Sequence, residues 1–444
     1  MVAPDLPEPV RFAAMPSPAS ASDDDARETR ERDGRSDWKG IVVVFWLTSL
    51  VEGIGVSQVF SFLAPYLRIV GVPDADRAPF VGLFSALIFI VGMPLVPLWG
   101  VWADKYSRKA VVVRSCIVEA VVFACVALSR EPWQLAVSLL LIGFQLGNTG
   151  IMLGAIRDVV PRHRIGTMIA VFGASGPIGF AVGPALGGYL VDKLGWPLAS
   201  IFWVSAGLSI ATAVVVWFGS REVRPPVVPA GRVLPLAYGA LRSVLGDPTV
   251  RRIFAIYGVA FVANQMSRPY QALIVESIVG SGPGLASSIG FVAGTAALVG
   301  AVIAPLGGLL GDRIGFRPVL LASLFVGGFA LLVVPLIHAI PPLAVAVLVF
   351  TAANGLVGAM IFSLLATEVP ADRRSQTLNL VYLPLYAAGI IGPLVGGAVS
   401  AFAGPTGPFW VGAGVFLVGA VVVALRVRTR AAPSDPAPEP TGPG

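Results

Sequence analysis

Charge is scarce in this chain: Asp, Glu, Lys and Arg make up only 13% of its 444 residues. Soluble domains carry roughly 25%, so a soluble enzyme or a solvated binding module is a poor first reading. Histidine is nearly missing too. His163 and His338 fall in or near opposite loops. No metal-ligand cluster, phosphate-binding Gly-rich strand–helix motif or Walker sequence is present. The expectation is therefore a protein that is not an enzyme and uses no cofactor and no metal, and an ATP-driven pump would need a nucleotide domain that these residues do not contain. Cysteine is limited to Cys116 and Cys125. Nine helical residues separate them by roughly 13 Å, far beyond disulfide reach, so they read as small apolar residues. A cleavable signal peptide is not expected, because residues 1–39 are polar and mixed in charge, without the basic-then-apolar order; they are expected to be a disordered cytoplasmic tail, as are residues 428–444. Arg (27) far outnumbers Lys (4) and Ala, Val and Gly abound, the usage of a high-GC bacterial genome.

What the chain has instead is apolar length. It is 56% hydrophobic, with a mean hydropathy of +0.82. Crossing hydrocarbon takes about 20 mostly apolar residues per helix, because no water is there to satisfy the backbone. Twelve such stretches can be read: 41–67, 79–103, 110–128, 133–155, 166–190, 197–218, 253–278, 285–310, 317–337, 340–363, 377–402 and 408–426. The fold class is thus an all-α polytopic membrane protein with twelve transmembrane helices. A linker at 220–252 divides a bundle at 40–219 from another at 253–427; its Leu234–Leu245 segment reads as a short amphipathic helix at the membrane surface.

The net charge of +6 invites a nucleic-acid reading, but its distribution argues against that. If the N-terminus is inside, 26 of the 31 basic residues lie on the inner face, four (Arg68, Arg77, Arg130, Lys193) on the outer face, and Arg268 within a span. By the positive-inside rule both termini are expected in the cytoplasm. No nucleic-acid partner is expected.

The chain also repeats itself. Residues 97–109 read PLWGVWADKYSRK and residues 305–317 read PLGGLLGDRIGFR, so Pro97, Gly100 and Asp104 match Pro305, Gly308 and Asp312 at an offset of 208. AVGPALGGYL (181–190) is echoed by IIGPLVGGAV (390–399), where Gly183-Pro184 and Gly187-Gly188 match Gly392-Pro393 and Gly396-Gly397 at an offset of 209. In so apolar a chain this is a duplicated six-helix bundle, which points to a transporter with substrate held between the halves near the bilayer midplane.

These motifs carry a family resemblance. GVWADKYSRK resembles the G-x-x-x-D-[RK]-x-[GS]-[RK]-[RK] signature of the major facilitator superfamily, between spans 2 and 3, and GLLGDRIGFRP resembles a weaker copy between spans 8 and 9, ending near Arg317. Span 5 resembles the superfamily's antiporter signature at Gly179, Gly183, Pro184, Gly187 and Gly188, with Ala170 where Gly is usual. The resemblance covers nearly all of residues 40–427 and looks closest to the twelve-span drug:proton antiporters. It implies the major facilitator fold as two six-helix repeats, and alternating access. One departure stands out. The family's span 4 usually holds an Arg in R-x-x-x-G, implicated in proton coupling, whereas GFQLGNTG places Gly143 there; either Arg268 takes over some of that role or coupling differs.

Elementary physics gives each motif a reading. Asp104 follows a span end, where the N–H groups and dipole of a neighbouring helix N-terminus can hold a carboxylate. Arg108 can pair with Asp158 beside span 4, in a cluster expected to form only when the cytoplasmic ends of the halves approach, so favouring the outward-open state. Gly100 and Gly308 are expected to permit close helix contact. The alternative is a topology anchor only. The Gly-Pro pairs of spans 5 and 11 allow a tightly packed, bendable interface, or simple small-residue packing.

Charges within spans are the strongest functional pointers, since each is costly there. Glu52 lies mid-span 1 and Arg268 deep in span 7, beside Asn264, Gln265 and Gln271. Spans 1 and 7 are repeat mates, and the resemblance places both along the central cavity. A proton carrier must be neutral in one state and charged in another, which a carboxyl can do and a guanidinium cannot. Glu52 is therefore the candidate for proton carriage or cation recognition, coupled to release by competition for the same cavity, or else a structural carboxylate. Arg268 is read as binding an anionic group or holding Glu52 charged, or as a structural ion pair. Glu119 in span 3 is read as a structural partner of Arg114. Gln145 and Asn148 in span 4 and Asn354 in span 10 could bond substrate or only bond across helices; Tyr382 and Tyr386 in span 11 could stack on a ligand or pack.

The expected protein is a bacterial plasma-membrane, multi-pass, monomeric secondary transporter whose partners are a small-molecule substrate, protons and the lipid bilayer. Efflux of small amphipathic molecules or drugs is the main reading. Transport of a specific metabolite such as a sugar or amino acid, and a transport-inactive receptor or lipid-translocating protein, are the alternatives.

Overall fold

The computed structural model describes residues 18–225, 228–368 and 383–426, with side-chain detail from Trp38 onward. Span 1 is Pro18–Ile69; span 2 is Asp74–Ile90 continued by Gly92–Lys105; span 3 is Arg108–Leu128. Span 4 is Pro132–Leu141 and Asn148–Val159, span 5 is Ile165–Gly188 with a π turn at Tyr189–Lys193, and span 6 is Ala199–Gly219. A linker helix, Val233–Gly246, leads to span 7, Pro248–Ser267 and Gln271–Val279. Spans 8 to 12 are Leu285–Ile314, Phe316–Val333, Ile340–Glu368, Leu383–Ala403 and Gly407–Arg426.

Ten helical stretches among the described residues are long and apolar enough to cross a membrane. One of these, Leu383–Leu425, holds two helices, and Pro248–Val279 adds the most polar span, so twelve cross. The many exposed apolar side chains, among them Phe218, Phe402 and Leu425, face where lipid would lie, since a bilayer removes the penalty that water imposes on them. Span 1 departs from expectation at its start. Its helix already runs from Pro18, so much of the segment read as an irregular tail is helical; Ala, Glu and Arg there are strong helix formers that can propagate a turn already nucleated downstream.

Where the helices break, the sequence shows why. Ser107 caps span 3 by accepting from the Ala110 N–H at 2.9 Å, as a short hydroxyl side chain does at an N-cap. Span 4 is interrupted after a tight turn at Ile142–Phe144, and Gly147 sits at φ 99°, a conformation that only glycine adopts without strain.

The halves pack internally through span 1 on span 5, span 3 on span 6, span 7 on span 11, and span 10 on spans 8 and 9. They meet each other through span 5 on span 8 and span 2 on span 11. These meetings concentrate at one end. We call it the far end; the linker end carries Trp38, the linker helix and the 2–3 and 4–5 connections. At the far end, a Cβ on Gly188 would stand 2.7 Å from the Ala286 carbonyl oxygen, and one on Gly290 2.5 Å from that of Pro184. A Cβ on Gly82 would fall on the Pro393 carbonyl and 2.7 Å from the Gly397 Cα. Towards the linker end the contrast is plain, because nothing lies within 4 Å of a Cβ placed on Gly166, Gly173 or Gly100. The halves are therefore pressed together at the far end and splayed at the linker end.

This packing makes a paired prediction. Gly82→Ala puts a methyl into backbone that cannot yield without moving span 11, and should destabilise the purified protein by about 1–3 kcal/mol. Gly100→Ala meets open space and should leave thermal stability unchanged or slightly raised. Thermal unfolding in detergent or nanodiscs compares the two, and equal effects would refute the asymmetric packing.

Candidate transport cavity and gates

Between the halves lies a cavity of about 510 Å³. The first bundle contributes spans 1 and 5 (Ser57, Phe60, Ser61, Phe180); the second contributes spans 7, 8, 10 and 11. The wall is mainly apolar, with Ile289, Val292 and Ala296 presented by span 8. Its polar groups include Asn264, Gln265, Gln271, Thr351 and Asn354. Among the described residues its single charge is Arg268.

Arg268 stands where span 7 gives up α-helical geometry. Pro269 has no N–H to continue the ladder, and Arg268–Tyr270 forms a 3₁₀ turn. The guanidinium carbon lies 4.8 Å from the ring centre of Phe60 and 4.5 Å from that of Phe180, within cation–π range. Both rings belong to the opposite bundle. Phe60 and Arg268 are related by the 208-residue offset (60 + 208 = 268), so repeat mates meet near the axis between the halves. Sequence reasoning missed both phenylalanines; applying the offset to Arg268 would have found one of them.

Glu52 is not in this cavity. Its carboxyl faces Asn148 and Gln145 of span 4 and acts electrostatically on Glu119 of span 3. Glu119 presses on span 1 one turn further along, with its Oε1 3.1 Å from a Cβ placed on Gly55. The acid expected to share the cavity with substrate thus lies inside the first bundle, and competition for one site gives way to two separate sites. Span 1 turns Glu52 towards spans 3 and 4 and Ser57, Phe60 and Ser61 towards the cavity. Gln145 and Asn148, 0% and 2% exposed, are likewise away from the cavity. Arg114 is not the partner of Glu119: it stacks on Trp99 at 3.7 Å and donates to Ser115 Oγ at 2.7 Å. Arg268 does not hold Glu52 charged either, since its described neighbours are the two rings. Gly143 has a packing reason, because a Cβ there would stand 2.5 Å from Gly92 N. The interruptions of spans 2 and 4 abut at that point and leave no room for an arginine. Tyr386 is buried with its ring 6.0 Å from that of Phe89, outside the cavity wall.

The far end is held by charge. Arg77 Nη1 donates to Glu276 Oε2 at 2.8 Å, and Arg68 Nη1 lies 2.6 Å from Glu276 Oε1. Asp74 steadies both arginines, at 2.9 Å from Arg77 Nε and 3.1 Å from Arg68 Nη2. Glu276 belongs to span 7 and the arginines to spans 1 and 2, so the network bridges the halves. Beside it, the π turn after Gly188 aims Asp192 at span 8, where it accepts from the Ser287 N–H at 2.6 Å. From sequence Arg68 and Arg77 were read only as outer-face charges, and Asp74, Asp192 and Glu276 were not singled out. Arg68 and Glu276 are mates at the same offset (68 + 208 = 276), again a readable signal.

At the linker end Arg108 is buried between two carboxylates, with Nε 2.8 Å from Asp104 Oδ1 and Nη1 2.7 Å from Asp158 Oδ2. All three residues lie in the first bundle, and the cluster is formed while the linker end is splayed. The expectation that it needs the halves to approach is therefore corrected. Nor does Asp104 sit on a helix N-terminus. That place is taken by Glu222 from the linker, which accepts from the Arg108 N–H at 2.8 Å and from Ser107 Oγ. Gly100 is in no close contact in this shape. In the second copy Arg317 donates to the Ala424 carbonyl at 2.6 Å; Gly308, Asp312 and Tyr382 lie outside the residues whose side chains are described. The signature of span 5 serves two neighbours. Gly179, Gly183 and Gly187 admit span 1, at Gly53, Ile54 and Phe62, while Pro184 and Gly188 meet span 8. In span 11, Gly392 admits span 7 at Val262 and Gln265, and the Pro393 carbonyl meets Gly82 of span 2.

Two bundles around a central cavity, sealed at one end and splayed at the other, define a membrane transporter. The sequence profile of the Major Facilitator Superfamily matches residues 41–283 and 253–443, and the chain belongs to that family of transporters, which are not enzymes. It is similar to the multidrug resistance protein MdtG of Klebsiella pneumoniae (strain 342), 27% identical over 399 residues, covering 89% of this chain and 95% of that one. MdtG of Escherichia coli O1:K1 is likewise 27% identical over 406 residues, covering 91% and 98%. In fold it is similar to the nucleoside transporter NupG, with a TM-score of 0.70 and 18% identity over 87% of this chain and 100% of that one. A bacterial homologue of the human lysosomal transporter Spinster, solved inward-facing and unoccupied, gives a TM-score of 0.66 at 16% identity over 87% and 95%.

The bridge at the far end carries a prediction. Glu276→Gln leaves two buried or half-buried arginines without their shared carboxylate, a loss of about 3–5 kcal/mol for a buried pair. In a background lacking Cys116 and Cys125, Ala272→Cys in the cavity wall should then label several-fold faster from the far side with an impermeant thiol reagent. Unchanged labelling would mean that the glycine contacts alone keep that end shut.

Proposed function

We propose that this protein is a proton-driven exporter of small amphipathic molecules working by alternating access. The observation that carries the reading is the mainly apolar cavity between the bundles, sealed at one end by a charge bridge and close glycine packing. A wall of Phe, Ile, Val and Ala suits an amphipathic body, and a few amides orient it. Kinship with proteins named for multidrug resistance supports the direction and breadth. The basic residues gathered at the linker end support placing that end in the cytoplasm of a bacterium, so the shape described is inward-open. Substrate would enter from the cytoplasm; breaking the Glu276 bridge and closing the linker end would then expose it to the other side. A transport-inactive receptor has no need of such a cavity with a breakable seal.

Proton coupling is assigned to Glu52, with Glu119, Gln145 and Asn148 as its polar surroundings. The acid and the cavity share span 1 but face apart, so protonation would act on ligand through the packing of spans 1, 3 and 4 rather than by displacing it.

Orientation is tested by cysteine labelling in intact cells. Cysteines replacing Asp76 or Ser281 should react with an impermeant reagent, and one replacing Ser107 should not; reaction of the Ser107 variant would invert the topology. Coupling is tested in proteoliposomes. Glu52→Gln should abolish uphill, proton-driven flux while downhill exchange persists, because the cavity wall is untouched. Wild-type concentrating ability in that variant would remove Glu52 from the proton path and make Glu119 the next acid to examine.

A further inference from the structure

The geometry points to an anionic amphipath as the ligand of the central cavity: a carboxylate, sulfonate or phosphonate group carried on a compact apolar body. This rests on the transport reading and narrows its substrate class. Arg268 is the single charge in the described wall, and no Asp or Glu lines it. Its described neighbours are the rings of Phe60 and Phe180, which attract the cation but take none of its in-plane hydrogen bonds. None of its N–H groups has a hydrogen-bond or carboxylate partner among the described residues, and the side chain opens into the cavity. A guanidinium cannot shed its proton to escape that situation, and an unpaired charge at membrane depth is costly enough to mark a working site.

The rest of the wall fits the same guest. Asn264 and Gln271 lie four residues before and three after Arg268, on the same side of span 7, and offer amide donors beside the fork. Asn354 on span 10 holds a buried Oδ1 with no partner, an acceptor for a hydroxyl or amide on the ligand. Phe60, Phe180, Ile289 and Val292 give the body an apolar lodging. A lipophilic cation meets the opposite situation. It finds no counter-charge in the described wall, since Glu52 is turned to spans 3 and 4, and Arg268 repels it. That repulsion discriminates as effectively as any contact made to the right ligand.

The test uses three probes with one ring system: 2-naphthalenesulfonate, neutral 2-naphthalenesulfonamide and trimethyl(2-naphthyl)ammonium. Equilibrium dialysis against the full-length protein in lipid nanodiscs, with empty nanodiscs subtracted, should rank the sulfonate tightest and the cation weakest. Hydrogen bonds to a charged group imply about a 10- to 100-fold preference for sulfonate over sulfonamide. Arg268→Gln should bring sulfonate binding down to the level of sulfonamide in the same variant, and Arg268→Lys should keep part of the preference. The wild-type ranking needs no variant, so misfolding of Arg268→Gln cannot obscure the result. Cation binding equal to or tighter than sulfonate binding overturns the inference while leaving a ligand cavity intact. No binding of any probe, with no flux of any probe in proteoliposomes, overturns both this inference and the exporter reading.

Discussion

Backbone meets backbone where the two bundles touch, and the rest of the molecule is arranged around that contact. Gly82 lies against Pro393 and Gly397, and Gly188 and Gly290 lie against Ala286 and Pro184. Without side chains at these points the helices approach closely enough for dispersion forces to hold them, which matters because lipid supplies no hydrophobic drive between helices. The closeness brings Glu276 within reach of Arg68 and Arg77, and it leaves the opposite ends of the same helices apart. The seal, the bridge and the open cavity are consequences of one patch of small residues placed towards one end.

The buried charges named above fall into four physical situations. The Arg108 cluster is fully paired within one bundle, so it stiffens that bundle as a rigid body. The Glu276 network is paired across the bundles, so the alternating access proposed above would have to break it. Among the described residues Arg268 has two rings against its guanidinium and no carboxylate, and Glu52 and Glu119 act on each other, with Gln145 and Asn148 facing Glu52 and no described cation beside them. The way each charge is compensated is what supports reading them, in the function proposed above, as a rigid strut, a latch, a ligand contact and a proton site.

Much of this was legible beforehand. Twelve apolar stretches, a duplicated motif and an uneven distribution of arginine give the two-bundle plan, because hydrocarbon admits few solutions for a backbone. Arg268, with Asn264 and Gln265 beside it, and Asn354 were among the polar span residues offered for the cavity and do line it, whereas Glu52, Gln145 and Asn148, offered on the same ground of cost, do not. Phe60 and Phe180 were invisible, as phenylalanine in an apolar span carries no signal of its own. Glu276 was overlooked because a charge near a span end is cheap, and only its partners on spans 1 and 2 make it a latch. The signature around Asp104 was readable as a charge cluster, but its confinement to one bundle was not.

The sequence by itself determined the number of spans, the two-fold repeat and the polar residues within spans; the breaks at Gly147 and Pro269 are also local in origin, though they were not read from it. These depend on local physics: hydrocarbon solvation, backbone sterics and the missing N–H of proline. Only the tertiary structure decided which way each span turns its faces, and hence that Glu52 looks into its own bundle while Arg268 looks into the cavity. A helix can rotate about its axis by half a turn without any change in composition or length. The faces are fixed by which small residues on neighbouring spans allow close approach, and that is a property of pairs far apart in the chain.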